Sequence, residues 1–532
     1  MTDRRNKIKL YDWQTECLEI WEKNQCRGII NVVTGAGKTV LALVAAQKLE
    51  KAPGGERLKV KIIVPKTFLV YQWYYALNEM LGAARGDIGK YMGTHKSNSD
   101  QKYMIYVINS ARYSFAKHML DEIRARNRVF IIADECHHYG ASENSKIFDF
   151  IKTAPDFTYF AMGLSATPYG RNYERILEPY IGREIYRFTF SQALKAEIIS
   201  HFSVINVGMD FDQGERFEYD ELSEKLGLSL FKLKEQCPNL YVSDSRRFFL
   251  ELEKIISSHI SRDVRQLAET VRFLMYRRKE LIHLAKSRLQ CVEDLVGRID
   301  KKSKIIIFGE RIETANAIYD RLSAIYPGES GIYHSELHES IRKTVIRNFE
   351  DSEIRILVSC KSLDEGLNIK DADAGIVMSS TSGERQRIQR LGRVLRKKGG
   401  GRRACFYYLY VRDTTEEADA YGDVNDGTDS GVNIIDLYYD EREAGFANAF
   451  YEELIEIALD DMKKKSWSER RIAEFMRNAH LGVVTCDWLM PEDECIIKIK
   501  GSKTRGERNY HISMLLLIRA RRKWVADGHY NY

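Results

Sequence analysis

Long apolar runs are missing from this sequence. None approaches the ~18–20 residues that span a bilayer, and the strongest stretch is Met514 to Ile518. Basic residues open the chain (MTDRRNKIKL) without a long apolar segment behind them, so a secretory leader is not expected. Cysteine is sparse and unpatterned: nine in 532 residues, with no CxxC pair. That argues against a disulfide framework and a zinc ribbon. The one loose set of metal-ligand types is Cys486, Cys495, His480 and His511, against the plainer reading of buried thiols and surface histidines. Charge bias is also small, with 82 Lys+Arg against 76 Asp+Glu for a net +6. These absences leave a cytoplasmic, multidomain chain as the expectation.

What is present is a folding composition, 44% hydrophobic and 30% charged. The length exceeds one ordinary core, so two to four domains are expected. The most informative local pattern runs from Ile29. An apolar run to Val33 reads as a buried parallel strand. A loop of Thr34, Gly35, Ala36 and Gly37 follows, and Lys38-Thr39 opens a stretch of Ala, Leu and Val at helical spacing. Strand, Gly loop, Lys-Thr and helix is the arrangement that cradles phosphate, because loop N–H groups and a helix N-terminus both favour anions. Lys38 suits the β/γ-phosphates of ATP and the Thr39 hydroxyl suits Mg²⁺. Val32 stands where the pattern usually begins with Gly.

A second apolar run, Val129 to Ala133, ends in Asp134-Glu135-Cys136-His137-His138. Acidic residues at the carboxyl end of a parallel strand face the crevice where α/β sheets bind ligands. There Asp134 would join Thr39 in holding Mg²⁺, partly through water, and Glu135 would orient and deprotonate an attacking water.

With both segments in view, the sequence resembles superfamily 2 helicases of the DEAD/DEAH-box type. VVTGAGKT (32–39), DECHH (134–138) and LSATP (164–168) are similar to their motifs I, II and III. LYDWQ (10–14) resembles the segment before motif I, and IIVPKTFLVYQW (62–73) resembles motif Ia. FGERIETA (308–315) and YHSELHESIRKTVIRNF (333–349) resemble motif IV and its neighbour. ILVSCKSLDEGLNI (356–369) and QRIQRLGRVLR (386–396) resemble motifs V and VI. The nearest branch is XPB-like, shared with restriction-enzyme motor subunits; Tyr11 stands where that branch often has Arg.

The resemblance implies roles. Gln14 would read the adenine edge, Gln389 would lie near the γ-phosphate, and Arg393 and Arg396 would be the Arg fingers, with Arg390 linking the domains. Asp364, Gly366 and Asn368 would sense nucleotide. His137, Ser165 and Thr167 would relay the state of the cleft. Pro65, Lys66, Thr67, Gln72, Asn109, Ser110, His334, Ser335, Ser359, Lys361 and Ser362 would hold nucleic acid by its phosphates. The implied cofactors are ATP and Mg²⁺. The implied partner is DNA, single-stranded or duplex, with RNA left open. A protein partner such as a nuclease or another complex subunit is left open.

The expected fold is α/β: two tandem RecA-like parallel-sheet domains, a helical insertion between them, and a small C-terminal accessory domain. The expected boundaries are 1–208, 209–300 for the helical arm, 301–412, an acidic linker at 413–433 with seven Asp/Glu in 413–430, and 434–532. Strands are expected at Lys304–Phe308, Arg355–Val358, Gly375–Met378 and Ala404–Tyr410, alternating with helices at Glu313–Ala324 and Glu339–Phe349. The basic, aromatic-containing stretch 497–524 reads equally as a nucleic-acid contact or as solvated cations around a small core. No PD…ExK arrangement or HxK pair marks a nuclease. Two functions are consistent with all this. One is an ATP-dependent DNA motor. The other is an ATP-switched nucleic-acid sensor or motor subunit of a repair, restriction or anti-phage complex, without strand separation of its own.

Overall fold

The computed structural model describes residues 8–33, 35–93, 95–141, 143–169, 172–198, 202–238, 240, 245–258, 261–360, 372–379, 404–417, 433–443 and 445–526. Within them, two eight-stranded sheets organise the chain. The first contains β1 (Arg27–Val32), β2 (Leu58–Val64), β3 (Ile88–Met92), β4 (His95–Lys96), β5 (Tyr103–Val107), β6 (Arg128–Asp134), β7 (Phe160–Ser165) and β8 (Glu184–Phe188). Their order is β4-β3-β5-β2-β6-β7-β1-β8, parallel except for the β3–β4 hairpin.

These strands read as continuous apolar runs because helices cover both faces. Alternate residues of one strand therefore enter different cores. Ile62 and Ile132 meet the helices α1 (Asp12–Lys23), α2 (Lys38–Lys51) and α3 (Thr67–Leu81). Ile63 and Ile131 face the opposite core, which holds Phe115 and Met119 of α4 (Phe115–Arg124). Lys61 breaks the apolar run yet is fully buried. Its ammonium donates to Ser99 O at 2.7 Å and pairs with Glu122 of α4, which also accepts from Asn127 Nδ2 at 2.6 Å.

The second sheet contains β9 (Phe202–Met209), β10 (Ile305–Gly309), β11 (Ser330–Tyr333), β12 (Ile356–Cys360), β13 (Ala374–Val377), β14 (Ala404–Val411), β15 (Asn433–Asp440) and β16 (Gly445–Ala447). The order is β11-β12-β10-β13-β14-β9-β15-β16, with β15–β16 the antiparallel pair. The four strands expected from the sequence in 304–410 are present here within a residue or two, as β10, β12, β13 and β14.

The structure departs from the expected boundaries at three places. First, β9 does not close the first domain. It is buried along its whole length between β14 and β15 of the second sheet. Both faces of β9 are buried, and its two edges are hydrogen-bonded to β14 and β15. Second, the region 209–300 is not one arm. Helices α5 (Gln213–Gln236), α6 (Ser245–Ser257) and α7 (Arg262–His283) pack together on Leu226, Leu233, Phe248, Leu252, Ala268 and Val271. Helix α8 (Lys286–Arg298) instead buries Cys291, Val292, Leu295 and Val296 in the core of the second sheet. Arg288, fully buried, fastens the two: its guanidinium donates to Ile282 O and Leu409 O, each at 3.1 Å, and pairs with Glu416 at 2.7 Å.

Third, the C-terminal region is not a separate core. After α9 (Ile312–Ile325) and α10 (Glu339–Glu350) come the tail helices α11 (Ala449–Lys464), α12 (Glu469–Thr485), α13 (Glu492–Gly501) and α14 (Arg505–Ala526). Tyr451, Phe475, Trp488 and Met514 of this region share one apolar cluster with Ile205 of β9 and Tyr407 of β14. Several cations of the basic stretch form exposed ion pairs with acids of the same region. Arg519 and Arg522 both reach Glu492, and Lys523 pairs with Asp461 at 3.4 Å.

Candidate active site

Three neighbouring strands deliver the site. In the first sheet β7 lies between β1 and β6, so the carboxyl ends of all three open into one crevice. The loop after β1 turns sharply into α2. Gly35 and Gly37 take φ of 87° and 99°, a region that side-chain-bearing residues seldom adopt. Gly37 is needed for space as well, since a Cβ there would meet Gln14 Nε2 at 2.8 Å. That nitrogen donates to Gly37 O at 3.0 Å, and Gln14 Oε1 accepts from Tyr11 N–H at 2.9 Å. Gln14 is buried, with both ends of its amide spent on bracing the loop against the start of α1.

Lys38, the first residue of α2, extends toward β6, and its Nζ lies 3.4 Å from Glu135 Oε1. Asp134 ends β6, and Glu135 follows with φ of 47°, so the two carboxylates leave the strand in different directions. Asp134 Oδ1 accepts from Glu135 N–H at 3.1 Å and Oδ2 accepts from the indole of Trp73 at 2.9 Å. The Tyr139 hydroxyl stands 2.6 Å from Asp134 O and 2.7 Å from Ile63 O, clasping the ends of β6 and β2.

The environment separates the two acids. Burial, reinforced by the charge of Glu135, pushes Asp134 up to about 6, against the opposing pull of Lys38. Burial also acts on Glu135, but Lys38 with His137 and His138 outweighs it and holds that carboxyl below its ordinary value. Glu135 is therefore the more acidic of the pair. His137 joins motif II to motif III: its Nδ1 lies 3.0 Å from Ser165 Oγ and 3.5 Å from Glu135 Oε2. Ser165 Oγ accepts from Thr167 N–H at 3.1 Å.

The oxygen-only donors of Asp134 and the hydroxyl of Thr39, one residue into α2, fit a hard cation such as Mg²⁺. Each Asp134 oxygen accepts one of the two N–H groups and has a second lone pair to offer. The loose Cys/His set is not assembled. Cys495 Sγ lies against His511 O at 3.2 Å, Cys486 is buried against backbone carbonyls, and His480 is exposed. Among the described residues no group of three or more His, Cys, Asp or Glu is arranged for a metal.

The proposed nucleic-acid contacts divide by exposure. Lys66, Thr67 and Asn109, at the carboxyl ends of β2 and β5, and Ser335, just beyond β11, are exposed. Gln72 and Ser110 are half-buried, and Ser110 Oγ accepts from Gly93 N–H at 3.1 Å. Pro65, His334 and Ser359 are buried, so Ser359 does not present its hydroxyl to solvent. Thr34, Lys361, Ser362, Asp364, Gly366, Asn368, Gln389, Arg390, Arg393 and Arg396 lie outside the described residues. Trp73 and Tyr139 escape a reading of the sequence. Trp73 shares the buried side of α3 with Val70 and Leu77 and looks like packing alone.

The family described as "Type III restriction enzyme, res subunit" matches residues 7–170, and "Helicase conserved C-terminal domain" matches residues 287–398. A protein named DNA 3'-5' translocase XPB2, from Sulfurisphaera tokodaii, is 27% identical over 74% of this chain and 80% of its own length. The DNA 3'-5' helicase XPB of Kineococcus radiotolerans is 25% identical over 77% of this chain, and there the match spans 61% of the relative. In fold, the chain is similar to the crystal structure of the Pyrococcus furiosus Hef helicase domain. That likeness has a TM-score of 0.52 at 18% identity, covering 79% of this chain and 98% of that one. With the phosphate loop, the paired acids and the second parallel sheet in place, these likenesses support an ATP-hydrolysing motor similar to the superfamily 2 helicases, on the side of XPB-like proteins and restriction-enzyme motor subunits.

Proposed function

We propose that the chain moves along DNA, splitting ATP between its two sheets. The observation that carries this reading is the Lys38–Glu135–Asp134 constellation at one crevice, with Glu135 held ionised beside Lys38. Bound Mg²⁺ would draw electrons from the phosphates. Thr39 and Asp134 would hold it, and Lys38 would meet the β/γ-phosphates. Nucleotide drawing Lys38 away from Glu135 would free that carboxylate to take a proton from the attacking water. Arg393 and Arg396 would bring the cation from the second half, which makes turnover depend on closure of the two halves.

DNA as the track, and 3'-to-5' as its direction, rest on the names of the relatives. Exposed Lys66, Thr67, Asn109 and Ser335 suit a phosphate backbone more than base edges. Such contacts give weak sequence preference and steep salt dependence. Nine free cysteines agree with a cytoplasmic setting.

The test is ATP turnover against single-stranded DNA, duplex DNA and RNA across salt, with triplex displacement and tailed-duplex unwinding run beside it. Displacement that follows DNA-stimulated turnover supports the motor. Stimulated turnover with neither displacement nor unwinding favours the sensor or subunit instead.

A further inference from the structure

Packing explains the ring of Trp73 but not its nitrogen. The side chain is 1% exposed on the inner side of α3, and its N–H points at the carboxylate that ends β6. An aromatic residue chosen only to fill this space could be Phe. A buried indole needs an acceptor, and here the acceptor is a charge-bearing oxygen at 2.9 Å.

The consequence for Asp134 is geometric. A carboxylate on a strand end can swing about its last torsion, which is soft. Here Oδ1 is held by Glu135 N–H, from the turn that leaves β6, and Oδ2 by Trp73 Nε1, from a different element of the fold. Two donors from two directions fix the carboxylate plane. The remaining lone pairs then face a defined direction before any cation arrives. Outer partners that orient metal-binding groups typically matter by ~10–100-fold in metal affinity.

We propose that Trp73 is a positioning residue of the reaction: its indole N–H sets the orientation in which Asp134 receives the metal of the metal–nucleotide complex. This rests on the reading of Asp134 as a metal-holding residue, and the experiment separates the two.

Binding of a fluorescent ADP analogue is titrated with Mg²⁺ without turnover, in the full chain and in Trp73→Phe, which keeps a ring and removes the N–H. Leu77→Ala, on the same buried side of α3, removes packing but no hydrogen bond, and thermal melts accompany each variant. Trp73→Phe should need about tenfold more Mg²⁺ for half-saturation. Leu77→Ala should melt earlier with its Mg²⁺ requirement unmoved. In an Asp134→Asn background Trp73→Phe should add nothing. Where Phe unfolds the chain, 3-benzothienylalanine at position 73, with sulfur in place of N–H at nearly constant shape, gives the same reading. A Trp73→Phe curve within twofold of the parent overturns the inference, as does an equal shift from Leu77→Ala. Parent binding that ignores Mg²⁺ altogether overturns the metal role of Asp134 itself, and the inference with it.

Discussion

His137 and Ser165 meet side chain to side chain across the gap between two strand ends, Nδ1 to Oγ at 3.0 Å. The same hydroxyl accepts the backbone N–H of Thr167. A ring 3.5 Å from Glu135 is thereby tied to the segment leaving β7. That hydroxyl is the proposed route by which a change at the acid pair would reach the segment.

Ser165→Ala removes this link and little volume. Stimulation of ATP turnover by nucleic acid should fall about tenfold, within the range of ordinary coupling energies. ATP affinity in its absence should hold. Steady-state rates with and without DNA check this.

Glu135→Gln keeps the shape of the site and removes the carboxylate proposed as the base. Nucleotide binding should persist while turnover drops by ~10²–10⁴. Lys38→Ala should lose binding as well. Single-turnover hydrolysis beside equilibrium binding separates the two outcomes.

Acid should weaken the metal site before it touches Glu135. With Asp134 at about 6, the apparent Mg²⁺ requirement should rise about tenfold per pH unit below that point. Without metal the sign reverses for stability. A carboxyl raised from 3.8 to about 6 favours the folded state at low pH, and that contribution is lost as pH rises through this window. Melting curves from pH 4 to 7, with and without Mg²⁺–nucleotide, test both signs.

Lys61 and Glu122 form a pair sealed in the first domain. Glu122→Ala strands a buried ammonium and should cost about 3–5 kcal/mol in urea unfolding. Lys61→Met with Glu122→Leu should recover most of it.

Removing 434–532 would strip β15 from β9 and take Phe475, Trp488 and Met514 out of the second core. The expected product aggregates through the bared strand edge. A monodisperse truncation with full ATP turnover would contradict this.

Local clustering of the candidate site was legible in the sequence; long-range membership was not. The phosphate loop and the acid pair each sit within a few residues at the end of one apolar run, so Gly35 to Thr39 and Asp134-Glu135 declare themselves. The run Phe202–Met209 is also largely apolar, but nothing in it says which sheet will accept it. In the basic stretch 497–524, the acidic partners of Arg519, Arg522 and Lys523 come from Glu492 and Asp461, which the sequence alone does not place beside them. Gln14 and Trp73 sit in recognisable segments, yet their amide and indole work through hydrogen bonds to residues 23 and 61 positions away.

The seat of β9 in the middle of the second sheet has a consequence for biosynthesis. The first sheet is complete once β8 has left the ribosome, well before half the chain exists. Its later counterpart must keep β9 waiting, sticky on both edges, until β14 and β15 are translated more than 190 residues downstream, as the pairings Phe202–Ala404 and Ser203–Asn433 require. Nascent chains stalled in that interval are the form of this protein most in need of a chaperone.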